Sequence, residues 1–120
     1  KAEAELDWQL DAKQLHRKIR AYNPWPITQF TYREYQENSD NTKEHRIRVW
    51  QASVEEHQGN QNPGQIISID KAGILVATTS GALRLESLQL PGKKALSVKD
   101  ILNGKAHWFV IDKSINGFKK

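Results

Sequence analysis

Basic side chains at helical spacing are the first residues in this sequence that could do chemistry. Lys13, Arg17 and Arg20 stand at positions i, i+4 and i+7, which places them along one stripe of an α-helix. Between Asp11 and Tyr22 there are four Lys and Arg residues against one Asp. Such a stripe is either a solvated helix face or a surface that binds phosphate groups.

Two more basic pairs follow along the chain. Arg46 and Arg48 share one face if they lie on a β-strand. Lys93 and Lys94 come directly after Pro91-Gly92, a dipeptide typical of tight turns. These groups and the helix stripe form one patch only if the fold brings them together, and the sequence leaves that open.

The residues that catalysis would need are not arranged for it. The chain has four histidines, His16, His45, His57 and His107. None of them is three or four residues from another, so the pattern predicts no zinc-binding helix. Glu55 and Glu56 are adjacent, and on a strand they would face opposite sides, so they cannot act together on one bond. Ser80-Gly81 is better interpreted as a hairpin turn than as a phosphate loop, because no glycine-rich loop leads into a helix there. We predict no catalytic residue, bound cofactor or metal site in this chain.

The composition is that of one small globular domain. A chain of 120 residues, 38% hydrophobic and 27% charged, is long enough to bury a single core. It has no cysteine, which excludes disulfides and is compatible with a reducing compartment. No apolar run approaches the roughly 18 residues that a membrane span needs, so we expect no membrane contact. Because the chain begins at Lys1 and contains no methionine, we interpret it as a piece of a longer protein.

The overall charge favours an anionic partner. Lys and Arg number 18 against 14 Asp and Glu, which gives a net charge of +4. The corresponding pI of about 9.4 is typical of domains that bind polyanions.

The hydrophobic pattern predicts a mainly β domain with two short helices. Asp11 and Gln14 form a capping box that opens the first helix, and Pro24 and Pro26 must end it. Ser97 opens a second, shorter helix in the same way. Five runs rich in β-branched residues predict strands at 27–32, 46–54, 65–69, 74–79 and 82–90. Short strands separated by turn residues fit a small barrel or sandwich better than an α/β sheet.

Three polar stretches are predicted to lie outside these elements. Glu34–Glu44 and His57–Pro63 have the composition of solvated loops. The tail from Asp112 to Lys120 is polar, and we expect it to fray.

Several motifs, in this order, resemble the C-terminal domain of methionyl-tRNA formyltransferases. Leu6-Asp7-Trp8 is similar to the end of the linker that follows the catalytic domain in that family. The run RAYNPWP at Arg20–Pro26 resembles the family's helix-end motif. The run LQLPGKKALS at Leu88–Ser97, continuing to DILNG at Asp100–Gly104, resembles its loop and second helix. The resemblance covers nearly the whole chain.

The resemblance implies a five-stranded barrel similar to an OB-fold over residues 11–120, with residues 1–10 as the end of an interdomain linker. Enzymes of that family transfer a formyl group from 10-formyltetrahydrofolate, their co-substrate, to the amino group of initiator methionyl-tRNA. Their catalytic residues belong to an N-terminal domain, which is not part of this chain. The implied partners are therefore initiator methionyl-tRNA and the N-terminal catalytic domain of the same polypeptide, in a monomeric enzyme of the bacterial cytoplasm.

The resemblance and the charge pattern together predict which residues bind nucleic acid. They are Lys13, Arg17, Arg20, Arg48, Lys93 and Lys94. Arg20 and the lysine pair fall within family motifs, and Arg48 occupies a strand position that is commonly basic in the family. We expect these side chains to contact phosphates and so to position the RNA without reading its sequence. The acidic Glu34–Glu44 stretch is a poor candidate for RNA contact.

Two other interpretations stay open. One is the C-terminal domain of a formyltransferase that acts on a nucleotide sugar or hydrolyses formylfolate, where the barrel would be a spacer or an assembly surface. Binding of tRNA no stronger than that of a protein of equal charge would favour it. The other is a plain structural module whose positive charge is incidental, which basic residues scattered on opposite sides of the domain would favour.

Overall fold

One antiparallel sheet, with one helix before it and one after it, makes up most of the chain. The computed structural model describes residues 5–21, 27–35, 42–57, 59–105 and 108–117. The predictions made for Pro24 and Pro26, for His107, for the middle of the polar stretch at 34–44 and for the last three residues lie outside these ranges. The elements are α1 (Ala12–Ala21), β1 (Gln29–Tyr35), β2 (Thr42–Glu55), β3 (Ile66–Asp70), β4 (Gly73–Ala77), β5 (Ala82–Gln89), β6 (Ala95–Ser97) and α2 (Val98–Lys105).

The sheet is a curled half-barrel with strand order β1-β2-β5-β4-β3, and all of its strand pairs are antiparallel. The short strand β6 pairs with the end of β5. The prediction of a mainly β fold with five principal strands and two short helices is confirmed. Alternate residues of the strands face a common core, as the period of two requires; in β2, for example, Ile47 and Val49 are buried while Arg46 and Arg48 are exposed.

Both helices begin where the sequence predicts. The Asp11 carboxylate accepts a hydrogen bond from the Gln14 backbone N–H at 2.7 Å, and the Gln14 side chain accepts one from the Asp11 N–H at 3.1 Å. This reciprocal pair is the predicted capping box. Leu15 and Ile19 of α1 are buried in the core, so α1 lies on the inner side of the sheet.

The loop within the polar stretch at 34–44 is shorter than predicted. Strand β1 continues to Tyr35 and β2 begins at Thr42, with Arg33 opposite Glu44 and Glu34 opposite Lys43. The Arg33 Nε and a Glu44 carboxylate oxygen are 3.0 Å apart. Opposite charges on directly facing strand residues stabilise the pairing, and a prediction based on aliphatic content alone misses them.

The C-terminal segment at 108–117 bridges the two edge strands of the sheet, contrary to the expectation of a frayed tail. The Ile66 N–H donates to the Lys113 carbonyl and the Arg33 N–H donates to the Asn116 carbonyl, each at 2.8 Å. Ile115 is fully buried and its N–H donates to the Gly64 carbonyl at 2.8 Å. These backbone bonds hold residues 112–117 in place although most of their side chains are polar, because backbone groups pair regardless of side-chain polarity.

Candidate nucleic-acid interface

A row of polar side chains crosses the outer face of the sheet at Arg48. In the strand register Arg48 of β2 faces Gln29 of β1 on one side and Gln89 of β5 on the other. Together with Arg46 and the Pro91-Gly92 turn, these residues line an open cleft of about 540 Å³, which we call the β2 cleft. Glu44, whose carboxylate pairs with Arg33, also lines it. The structure therefore places one predicted site residue, Arg48, beside the turn that carries two others.

The arginines of the β2 cleft differ from other arginines of the sheet in having no acidic partner among the described residues. Arg33 pairs with Glu44, and Arg84 pairs with Glu55 at 3.1 Å and with Asp70 at 3.7 Å. Arg46 and Arg48 are exposed, and no carboxylate of the described residues lies within 4.0 Å of either guanidinium. Their positive charge is therefore available to an anion from outside the domain.

The turn that carries Lys93 and Lys94 is fixed to the sheet by hydrogen bonds. The Lys93 N–H donates to the Leu90 carbonyl at 3.0 Å, and Gly92 has a φ of 73°, a backbone conformation that glycine adopts without strain. The Gln89 side-chain amide donates to the Lys93 carbonyl at 2.8 Å. Both lysines are exposed, as an anion-binding role requires.

The predicted helix stripe forms a second basic group. Lys13, Arg17 and Arg20, together with His16, line a shallow depression between α1 and Val54 of β2, which we call the α1 groove. The three basic residues are exposed, while Leu15 and Ile19 of the same helix are buried. Lys18, on another side of the helix, instead donates to the Glu5 carbonyl at 2.6 Å.

The two basic groups lie on different parts of β2. Arg48 and Val54 are six residues apart, about 20 Å along a strand. A bulge near Gln51 lies between them, and Val54 pairs with the buried Leu83 on the inner face, whereas Arg48 is on the outer face. The structure therefore does not bring the six predicted residues into one patch. Lys13, Arg17 and Arg20 form one group and Arg48 with the Lys93-Lys94 turn forms another, on the other face of the sheet, an arrangement that the interpretation as a plain structural module also predicts.

Sequence reasoning did not include Arg46 and Gln29 among the site residues. Arg46 lies two residues before Arg48 on the same outer face, so the spacing that identifies Arg48 applies equally to it. Gln29 carries no charge and can be placed only by the register of β1 against β2.

The described residues contain no metal-binding cluster, and their one strongly shifted titratable group lies in the core. Within the described ranges no three His, Asp or Glu side chains cluster as a metal ion requires. Tyr32 is the titratable group with a large shift: burial, and secondly the Glu34 carboxylate, raise the pKa of its phenol to about 12. The phenol donates to the Trp108 carbonyl at 3.0 Å, inside the core, so its role is structural. Neither described helix has the length and apolar content to span a bilayer.

The half-barrel sheet and its two helices define a small, mainly β domain with exposed basic clefts. Residues 1–106 match the family described as formyl transferase, C-terminal domain, and the chain belongs to that family. The predicted resemblance to a formyltransferase C-terminal domain is confirmed.

The chain is similar to a much longer curated protein. It is 63% identical over 116 residues to a protein of Colwellia psychrerythraea strain 34H named methionyl-tRNA formyltransferase. The similarity covers 97% of this chain and 34% of that protein, so the chain spans about a third of its relative's length.

Solved structures show the same fold at low sequence identity. HypX from Aquifex aeolicus in complex with tetrahydrofolic acid matches with a TM-score of 0.64 and 17% identity, over 98% of this chain and 19% of that chain. A variant of the same protein matches with a TM-score of 0.63 and 16% identity, over 98% of this chain and 20% of that chain. At these identities the likeness concerns the fold.

Proposed function

We propose that this chain is the tRNA-binding accessory domain of a methionyl-tRNA formyltransferase. The whole enzyme transfers a formyl group from 10-formyltetrahydrofolate to the methionyl amino group of initiator tRNA, in the bacterial cytoplasm and as a monomer. Residues 1–10 form the end of the linker to its N-terminal catalytic domain. The accessory domain contributes no catalytic residue and positions the tRNA through contacts with phosphates.

One observation carries the proposal: Arg46 and Arg48 stand in an open cleft, without a carboxylate partner among the described residues, next to the turn of Lys93 and Lys94. Arginine side chains donate several charge-assisted hydrogen bonds and favour phosphate oxygens. Arg33 and Arg84 of the same sheet each have an acidic partner. The lack of such a partner among the described residues therefore distinguishes Arg46 and Arg48 from these other arginines.

The distance between the two basic groups indicates the size of the partner. A small anion would need donors that converge on one point, whereas the β2 cleft and the α1 groove are about 20 Å apart along β2. A folded RNA presents phosphates over such distances, and it is recognised mainly through its shape and backbone. Phosphate contacts of this kind position the RNA and carry no sequence information.

Salt dependence of binding tests the proposal directly. Phosphate contacts release counterions, so about five contacts give a slope of roughly −3 to −5 in a plot of log affinity against log salt concentration. The measurement is fluorescence anisotropy with a labelled initiator tRNA transcript between 50 and 300 mM KCl. A flat response, or binding no tighter than that of an unrelated domain of equal charge, would contradict the proposal and favour a spacer role in another formyltransferase.

A further inference from the structure

The side chain of Gln89 links the outer face of the sheet to the basic turn. Its Oε1 accepts a hydrogen bond from the indole N–H of Trp50 at 2.7 Å, and its Nε2 donates to the Lys93 carbonyl at 2.8 Å. Trp50 is half-buried on β2, and Gln89 lies directly across the sheet from Arg48. The Gln89 side chain therefore connects the indole of Trp50 to the backbone of the turn, beside Arg48 in the β2 cleft.

The chemistry of this position calls for an amide. An indole N–H can only donate, and a backbone carbonyl can only accept, so the side chain between them must offer one acceptor and one donor. A carboxylate would keep the bond to Trp50 but would face the Lys93 carbonyl with a second acceptor. An aliphatic side chain would lose both bonds.

The turn is also held by backbone bonds, from the Lys93 N–H to the Leu90 carbonyl and through the pairing of β6 with β5, in which Gln89 faces Ala95. Its side chains add little to this. Gly92, Lys93 and Lys94 are exposed along with Pro91, so packing contributes little to their order. An exposed turn that carries two long side chains loses considerable conformational freedom when it binds a ligand. Fixing the backbone beforehand reduces that loss and strengthens binding without adding a contact.

We propose that Gln89, held by Trp50, is a positioning residue for RNA binding: it fixes the Pro91–Lys94 turn so that Lys93 and Lys94 stand at the edge of the β2 cleft. The inference rests on the proposed function and deepens it. Gln89 acts through the backbone of the turn, and the lysines make the contact with phosphate.

The first experiment measures the order of the turn without any RNA. In Gln89→Leu, amide hydrogen exchange at Lys93 becomes about fivefold faster, because the turn loses a bond to its carbonyl. Trp50→Phe keeps an aromatic ring and removes the indole donor, so exchange increases in the same direction. Gln51→Leu, which removes an exposed amide of β2 outside the cleft lining, leaves exchange at Lys93 unchanged. Unchanged exchange in Gln89→Leu overturns the proposal.

The second experiment measures whether Gln89 and the lysines act together. With initiator tRNA as the probe, replacing both lysines by Ala in the native background weakens binding about fivefold, whereas the same change in Gln89→Leu weakens it less than twofold. In the Gln51→Leu background the full loss of about fivefold is retained. An equal loss in the Gln89→Leu background overturns the positioning role alone. No loss in the native background overturns the lysine contacts of the proposed function, and with them any role for Gln89 in binding.

Discussion

At the scale of single residues, the surroundings of each arginine decide its function. Arg33 and Arg84 have carboxylate partners on neighbouring strands, and Arg46 and Arg48 have none among the described residues. The sequence predicts the shared face of Arg46 and Arg48, because i and i+2 alternation is a local property of a strand. It does not predict which arginine is neutralised, because that depends on the register between strands.

The unpaired arginines should contribute to RNA binding and the paired ones should not. We expect Arg48→Ala to weaken tRNA binding about fivefold at 100 mM salt and Arg46→Ala to act in the same direction, since each variant no longer binds a phosphate. Arg84→Ala is the matched control from the same sheet, because its partners Glu55 and Asp70 lie outside the cleft lining, and we expect a change of less than twofold. The measurement is the dissociation constant for two tRNAs of different sequence. A large loss for one tRNA only would indicate base recognition instead.

The buried phenol of Tyr32 makes stability depend on pH in the alkaline range. Below pH 10 the phenol is protonated in both folded and unfolded chains, so its contribution to stability is complete. Between pH 10 and about 12 the unfolded chain loses this proton while the folded chain keeps it, so the free energy of unfolding falls as pH rises.

The size of this effect follows from the raised pKa, and we expect a loss of about 1 to 2 kcal/mol across that interval. Urea unfolding at several pH values, compared with Tyr32→Phe, isolates it from the other groups that titrate there. The variant is less stable near neutral pH, because the Trp108 carbonyl loses a donor, and the difference narrows above pH 10. If the difference in free energy of unfolding between the native chain and Tyr32→Phe stays constant up to pH 12, the pKa of Tyr32 is not raised as described.

At the scale of elements, the sequence predicts what depends on neighbouring residues. The capping box of Asp11 and Gln14 and the turn at Pro91-Gly92 are local patterns, and the structure has both. The polar composition of the tail from Asp112 to Lys120 instead predicts fraying, and for residues 112–117, which the structure describes, this prediction is wrong. The order of the segment comes from backbone bonds to Gly64, Ile66 and Arg33, residues distant in sequence that no local pattern reveals.

Ile115 should anchor this bridging segment to the core. Its side chain is fully buried, so we expect Ile115→Ala to lower the free energy of unfolding by about 2 to 4 kcal/mol, because apolar surface is no longer buried and a cavity forms. Ile111 of the same segment is 49% exposed, and Ile111→Ala should cost less than about 0.5 kcal/mol. Urea denaturation of the two variants provides the comparison. Equal effects would mean that the segment does not pack as described.

At the scale of the whole molecule, the arrangement of the charges cannot be deduced from the sequence. The basic residues of α1 and of β2 are candidates for one patch by sequence, and the fold separates them into the α1 groove and the β2 cleft. Strand spacing and bulges set this separation, and both depend on pairing across the complete sheet. The fold class is predictable because the alternation of hydrophobic residues and the turns repeat along the whole chain.

If both basic groups contact one RNA, each should contribute independently to its affinity and to the salt dependence of binding. They are about 20 Å apart along β2, beyond the range at which substitutions usually couple. We expect replacing Lys13, Arg17 and Arg20 by Ala to lower both the affinity and the salt slope for tRNA, by about one unit of slope for each phosphate that the variant no longer binds. Combining this change with Arg48→Ala should multiply the two effects on affinity. If the α1 substitutions leave affinity and slope unchanged while Arg48→Ala lowers both, the RNA contacts only the β2 cleft, and the stripe on α1 is a solvated helix face.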